Sequence, residues 1–137
     1  MKHILCCVDG SEHADTALRA AIELSAKLSA DLSLLVVNVT FGHSRRGPQA
    51  LIWTKEEVQA ILDRACDMVA KRGQKPAHAV IAVAREASTG IIDHAIEHEV
   101  DAIVIGTGDK RGLSRLLLGS VAMDVASRAP CTVIIAR

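Results

Sequence analysis

Aromatic side chains are nearly missing from this chain. Its 137 residues include one tryptophan, Trp53, one phenylalanine, Phe41, and no tyrosine. Modules that stack nucleobases along a single strand rely on aromatic faces, so the composition speaks against that class. Net charge is missing as well: 16 Lys and Arg balance 16 Asp and Glu. No overall field draws the chain toward nucleic acid or an anionic membrane, and the basic face of a DNA or RNA reader is not there. Long apolar runs are also lacking. No segment approaches the ~20 residues needed to cross a bilayer, and the short run after Lys2 ends at Asp9, unlike a secretory signal. The expectation is a soluble, cytoplasmic protein with neither nucleic acid nor membrane as partner.

Cysteine is sparse, and the spacing of Cys6, Cys7, Cys66 and Cys131 matches no zinc pattern. In a reducing compartment these four are expected to serve as small buried hydrophobes. Cys6 and Cys7 are neighbours on a predicted strand, so they face opposite sides and do not bridge one another.

Half of the residues are hydrophobic, and with so few aromatics the core must be built from Val, Ile, Leu and Ala. HILCCV (3–8) reads as a first strand that stops at Asp9-Gly10-Ser11. From Glu12 to Leu28 apolar positions recur with helical spacing, with Ser11 as N-cap and acidic Glu12 and Asp15 in the first turn. LSLLVVNV (32–39) is apolar nearly throughout, as a strand covered on both faces is. A polar loop follows at 40–49. A second helix is predicted from Trp53 to Arg72, closed by Gly73. A strand at 77–84, a helix from Ala87 to Glu99 with Ile91, Ile92, Ala95 and Ile96 inward, a strand at 101–106, a helix from Ser120 to Arg128 and a strand at 131–137 complete the chain.

Strands and helices alternate from end to end. That order predicts an α/β fold: one domain over 1–137 with an open parallel five-stranded sheet, order 3-2-1-4-5, and helices on both faces. Ligands of such sheets bind beyond the carboxyl ends of the strands, where the strand order reverses. Asp9 after strand one and Gly106 after strand four would then face each other across one crevice. Gly106 opens the stretch GTGDKRGLSRLLLGS, which closes on Gly119 and Ser120 at a helix start. Glycines allow close backbone approach, and a helix N-terminus presents unpaired N–H groups to an anion. The stretch has neither Walker nor dinucleotide-fingerprint spacing. On spacing alone it suits a phosphate loop and an ordinary strand-to-helix connection equally.

The residues VDGSEHADTALRAAIELS, DAIVIGT with LSRLLLGSVA, and APCTVIIAR resemble the universal stress protein family over essentially the whole chain. The resemblance implies a Rossmann-like fold related to the adenine nucleotide alpha hydrolases. Its most specific part is a glycine motif: glycine, two residues, glycine, nine residues, then Gly-Ser or Gly-Thr. Members of the family bind ATP, or AMP or cyclic AMP, and others bind no nucleotide. The resemblance implies that Asp9 contacts the ribose, Val39 the adenine, and Gly106, Gly119 and Ser120 the phosphates. It places Cys7, Val8, Ile105, Gly108, Asp109, Arg115 and Val121 around the same ligand. It also implies a homodimer through strand 131–137, a protein partner in a stress response and, at most, slow ATP hydrolysis; Mg2+ is a separate expectation, with ATP alone. The exposed apolar edge of that last strand points to the same dimer.

One position departs from the motif. With nine residues, Lys110 to Leu118, between it and Gly119, Asp109 stands where the family has its second glycine, and Gly108 comes one place early. A carboxylate ~5 Å from one phosphate charge repels it by roughly 3 kcal/mol at an effective dielectric near 20, reduced to about 1 kcal/mol by solvent and salt. Lys110, Arg111 and Arg115 offset this repulsion, and a magnesium ion between Asp109 and phosphate would reverse it. The departure shifts the expected ligand toward AMP or cyclic AMP. Elsewhere, His94 and His98 lie one turn apart among Asp93, Glu97 and Glu99 and read as a solvated face rather than a metal site. His43, Arg45 and Arg46 read as part of a polar loop. No spacing suggests a catalytic triad or paired carboxylates, so no catalytic residue is assigned.

Overall fold

The computed structural model describes residues 1–42, 50–108 and 118–137. The elements run β1 (His3–Cys7), α1 (Glu12–Leu28), β2 (Asp31–Phe41), β3 (Ala50–Leu51), α2 (Lys55–Ala70), β4 (His78–Ala84), α3 (Ala87–Glu97), β5 (Ala102–Gly106), α4 (Ser120–Arg128) and β6 (Thr132–Ala136). Five of the strands are parallel. β4 pairs with β2, β2 with β1, β1 with β5 and β5 with β6, which is the 3-2-1-4-5 order expected from the alternation. β3 was not anticipated. Its two residues pair antiparallel with the end of β2, Thr40 opposite Leu51 and Phe41 opposite Ala50. β2 therefore runs two residues further than its apolar stretch suggested.

Side-chain alternation along the strands builds two cores. Ile4, Cys6, Leu34, Val36 and Val104 face one side, where Leu18 and Ile22 of α1 and Leu62 and Val69 of α2 cover them. Leu5, Cys7, Leu35, Val37, Ile103 and Ile105 face the other, against Ile91 of α3 and Ala122 and Val125 of α4. Cys6 and Cys7 thus lie in opposite cores, as their adjacency requires. Cys66 and Cys131 are only half-buried, so the expectation of burial holds fully for the first pair alone.

Local signals set the helix starts. Ser11 caps α1 by accepting from the Ala14 N–H. Thr54 and Glu57 form a reciprocal capping box on α2, so that helix begins after Trp53 and not at it. α3 ends at Glu97, and Glu99 adopts φ 50°. Its buried face also differs from the expected stripe. Ile91, Ile92 and Ala95 are buried, but Ile96 is 57% exposed and His94 only 8%. The helix is rotated so that Ser88, Gly90 and His94 point inward, and Gly90 permits this because a Cβ there would lie 2.9 Å from Val37. His94 is therefore not on a solvated face. Its ring centroid lies 4.2 Å from that of His98.

Candidate functional site

The ends of β1, β2 and β5 open onto a cleft of about 340 Å³ at the point where the sheet order reverses. One wall is the turn after β1. Asp9 is exposed, and its Oδ1 accepts the Ser11 N–H at 2.9 Å. Ser11 Oγ in turn accepts the Ala14 N–H at 3.2 Å. Ser11 is thus the helix cap, and Asp9 is held in a fixed orientation beside it with its second oxygen uncommitted among the described residues.

The opposite wall is built by glycines in close contact. A Cβ on Gly106 would lie 2.4 Å from the His13 carbonyl oxygen, so only glycine lets β5 end against the first turn of α1. The Gly119 N–H donates to the Thr107 carbonyl at 2.5 Å, and a Cβ on Gly119 would lie 2.8 Å from that oxygen. The chain therefore leaves at Gly108, which has φ +80°, and returns at Gly119 with the two backbones touching. Gly119 is the N-cap of α4 and no side chain caps that helix. The N–H groups of Ser120, Val121 and Ala122 find no acceptor among the described residues, and all three residues line the cleft. Such a helix start offers hydrogen-bond donors and partial positive charge to an anion.

The floor is apolar. Leu35, Val37 and Val39 of β2 lie beneath Ala87 and Ile91 of α3, and Ile52 and Trp53 close the far side. The Val39 carbonyl accepts the Ile52 N–H at 3.0 Å. Buried Asn38 donates to the Trp53 carbonyl at 3.0 Å and accepts the Trp53 N–H at 3.1 Å. Cys7, on the floor by Asp9, is pushed up to about 12, first by burial and then by the Asp9 carboxylate. It stays a neutral thiol and offers no thiolate nucleophile. Among the described residues no three His, Cys, Asp or Glu side chains are grouped to hold a metal ion.

Ten residues singled out from the sequence meet here: Cys7, Val8, Asp9, Val39, Ile105, Gly106, Gly108, Gly119, Ser120 and Val121 all line the cleft. Asp109 and Arg115 lie outside the described residues, as do Lys110, Arg111, His43, Arg45 and Arg46. His13, Ile52, Trp53, Leu35, Val37, Ala87 and Ile91 also line the cleft and lie outside the glycine motif. Alternation from Val39 could have found Leu35 and Val37. No helix among the described residues is long and apolar enough to cross a membrane.

A parallel α/β sheet with a glycine-walled, anion-ready cleft at its switch point defines a Rossmann-like fold. The comparisons give the particular family. A model described as the universal stress protein family matches residues 1–137, and the chain belongs to that family. It is 33% identical to the universal stress protein YxiE of Bacillus subtilis (strain 168) over 146 residues, covering 98% of this chain and 97% of that one. Among solved structures, the universal stress protein of Archaeoglobus fulgidus superposes with a TM-score of 0.79 at 25% identity, over 100% of this chain and 99% of the other. The A. fulgidus protein in complex with dAMP gives a TM-score of 0.74 at 25% identity, over 100% of this chain and 98% of that one.

Proposed function

We propose that this protein is a regulatory adenine-nucleotide-binding module whose ligand is AMP or cyclic AMP ahead of ATP. One observation carries the reading: the Asp9 carboxylate and the amides of Ser120, Val121 and Ala122, which have no acceptor among the described residues, line one cleft. A carboxylate accepts from ribose hydroxyls and amides donate to phosphate, so the two walls suit the two halves of a nucleotide. The apolar floor of Leu35, Val37 and Val39 suits the base. A volume of about 340 Å³ is at the small end of ligand sites and favours a mononucleotide with one phosphate. The dAMP complex of the A. fulgidus relative supports the same ligand class.

In this reading Asp9 holds the ribose and Val39 the adenine edge. Gly106, Gly108, Gly119, Ser120 and Val121 surround the phosphate, and Cys7, Val8 and Ile105 pack beneath. Arg115 and Asp109 act on the phosphate with opposite sign, and Mg2+ joins only with ATP, where it offsets Asp109. The protein works in the cytoplasm as a homodimer through strand 131–137, and its nucleotide state alters contact with a protein partner in a stress response.

Calorimetric titration with AMP, cyclic AMP and ATP, each with and without magnesium, tests the reading. The expected result is saturable heat with AMP. Silence with all three in both conditions would leave a nucleotide-free interaction protein, the reading that Asp109 favours.

A further inference from the structure

We propose that His13 is the side chain that faces the phosphate, and that it sets the preference of the cleft for a phosphorylated over an unphosphorylated nucleoside; this rests on the nucleotide reading above. Among the described residues that line the cleft, the ionisable side chains are Cys7, Asp9 and His13. Cys7 is neutral and Asp9 is an anion, so His13 alone of these three can offer an N–H to a negative group.

Its position fits that task. His13 lies in the first turn of α1, and its carbonyl sits against Gly106, where β5 ends. Its Nδ1 lies 3.1 Å from Thr107 Oγ1. Thr107 is the same residue whose carbonyl takes the Gly119 N–H. The imidazole is therefore tied to the strand end that carries the start of α4, the anion-ready wall, and not to the apolar floor.

The hydrogen bond to Thr107 also constrains which ring nitrogen carries a proton. When the threonine hydroxyl donates to Nδ1, a neutral ring must hold its proton on Nε2, which leaves an N–H donor free. When Nδ1 donates instead, a neutral ring presents a lone pair at Nε2 and repels an anion. A bound phosphate selects the first arrangement, with Thr107 as donor and Nε2–H facing the anion. A hydrogen bond to a charged oxygen is worth roughly twice a neutral one, so its loss falls on phosphorylated ligands alone.

The test is the ratio of AMP to adenosine affinity, measured by calorimetry on wild type, His13→Leu and His13→Gln. His13 is exposed, and circular dichroism of each variant confirms folding. Wild type is expected to prefer AMP. His13→Leu should lower AMP affinity about tenfold and leave adenosine unchanged, while His13→Gln, which retains an N–H donor, should recover part of the preference. An unchanged ratio in His13→Leu, or a parallel loss of both ligands, overturns the assignment and leaves the nucleotide reading standing. Wild-type protein that binds neither of these ligands, nor cyclic AMP or ATP, overturns that reading itself.

Discussion

The side chain of Asn38 holds both backbone polar groups of Trp53, its Nδ2 donating to the carbonyl at 3.0 Å and its Oδ1 accepting the N–H at 3.1 Å. Asn38 is 2% exposed, and a buried amide in that setting must be satisfied. The pair joins β2 to the segment leading into α2 and fixes Trp53, the chain's one tryptophan, at the rim of the cleft. Asn38→Ala removes both bonds and is expected to cost about 1–3 kcal/mol. Urea denaturation measures the loss, and the fluorescence of Trp53 should move to longer wavelength as the indole is released. An unchanged midpoint and emission maximum would show that the pair is dispensable.

Gly106 is fixed by the packing of α1. The 2.4 Å separation between a Cβ there and the His13 carbonyl means that Gly106→Ala must push the first turn of α1 away from β5. Overpacking of this kind costs typically 1–3 kcal/mol, and more where backbone has to move. Chemical denaturation should show a loss of at least that order, and AMP affinity should fall with it, because His13 stands on the displaced turn and Asp9 is hydrogen-bonded to its cap, Ser11. A variant as stable as wild type would mean that the turn yields freely.

Acid should weaken the fold in two stages. Burial first, then the adjacent His98 ring, with smaller repulsion from His3 and His78, holds His94 below the ordinary histidine value, while Glu97 pulls the other way. The unfolded chain therefore takes up this proton more readily than the folded one. The stability tied to a neutral His94 is complete above about pH 6.5 and is lost as pH falls from there through the lower folded value. Asp101 is held below the ordinary carboxylate value by the N–H groups of Lys2 and His3. Its contribution is present above about pH 3.9 and is lost as pH falls through its own lower folded value. Melting temperatures recorded from about pH 8 to 3 should decline first below about 6.5 and again in the carboxylate range. His94→Leu should flatten the first decline, and a flat profile between about pH 7.5 and 5 in wild type would contradict this account.

β6 pairs with β5 on one side, and its residues from Val133 to Ala136 are partly exposed. A homodimer through this strand should sediment at twice the chain mass of 14.6 kDa. A species of 14.6 kDa at micromolar concentration would contradict it. β4 leaves a comparable apolar edge, with Val83 61% exposed.

The parallel sheet was legible in the sequence because strand and helix periods alternate without interruption, and crossover rules leave few topologies for that order. Asp9 and Gly106 were legible for a related reason: they stand where strands end, and strand ends converge at the switch point whatever the packing, while Gly119 was legible because it precedes a helix start. β3 was not legible, since two residues cannot display a period. His13 and Trp53 were hidden because tertiary contacts place them. His13 reaches the cleft only because Gly106 lets α1 approach, and Trp53 only because Asn38 reaches across from β2. The inward turn of His94 depends on Gly90 fitting against Val37, a contact that helical spacing does not reveal.

The central claim is that a nucleotide occupies the cleft between Asp9 and the start of α4. Backbone amide chemical shifts of isotope-labelled protein, followed as AMP is added, test it most directly. The predicted result is saturable shifts at Ser11, Ser120, Val121 and Ala122, with His78 and Thr132 unmoved. Shifts confined to the β4 or β6 edges, or none at the first turn of α4 at saturating AMP, would contradict it.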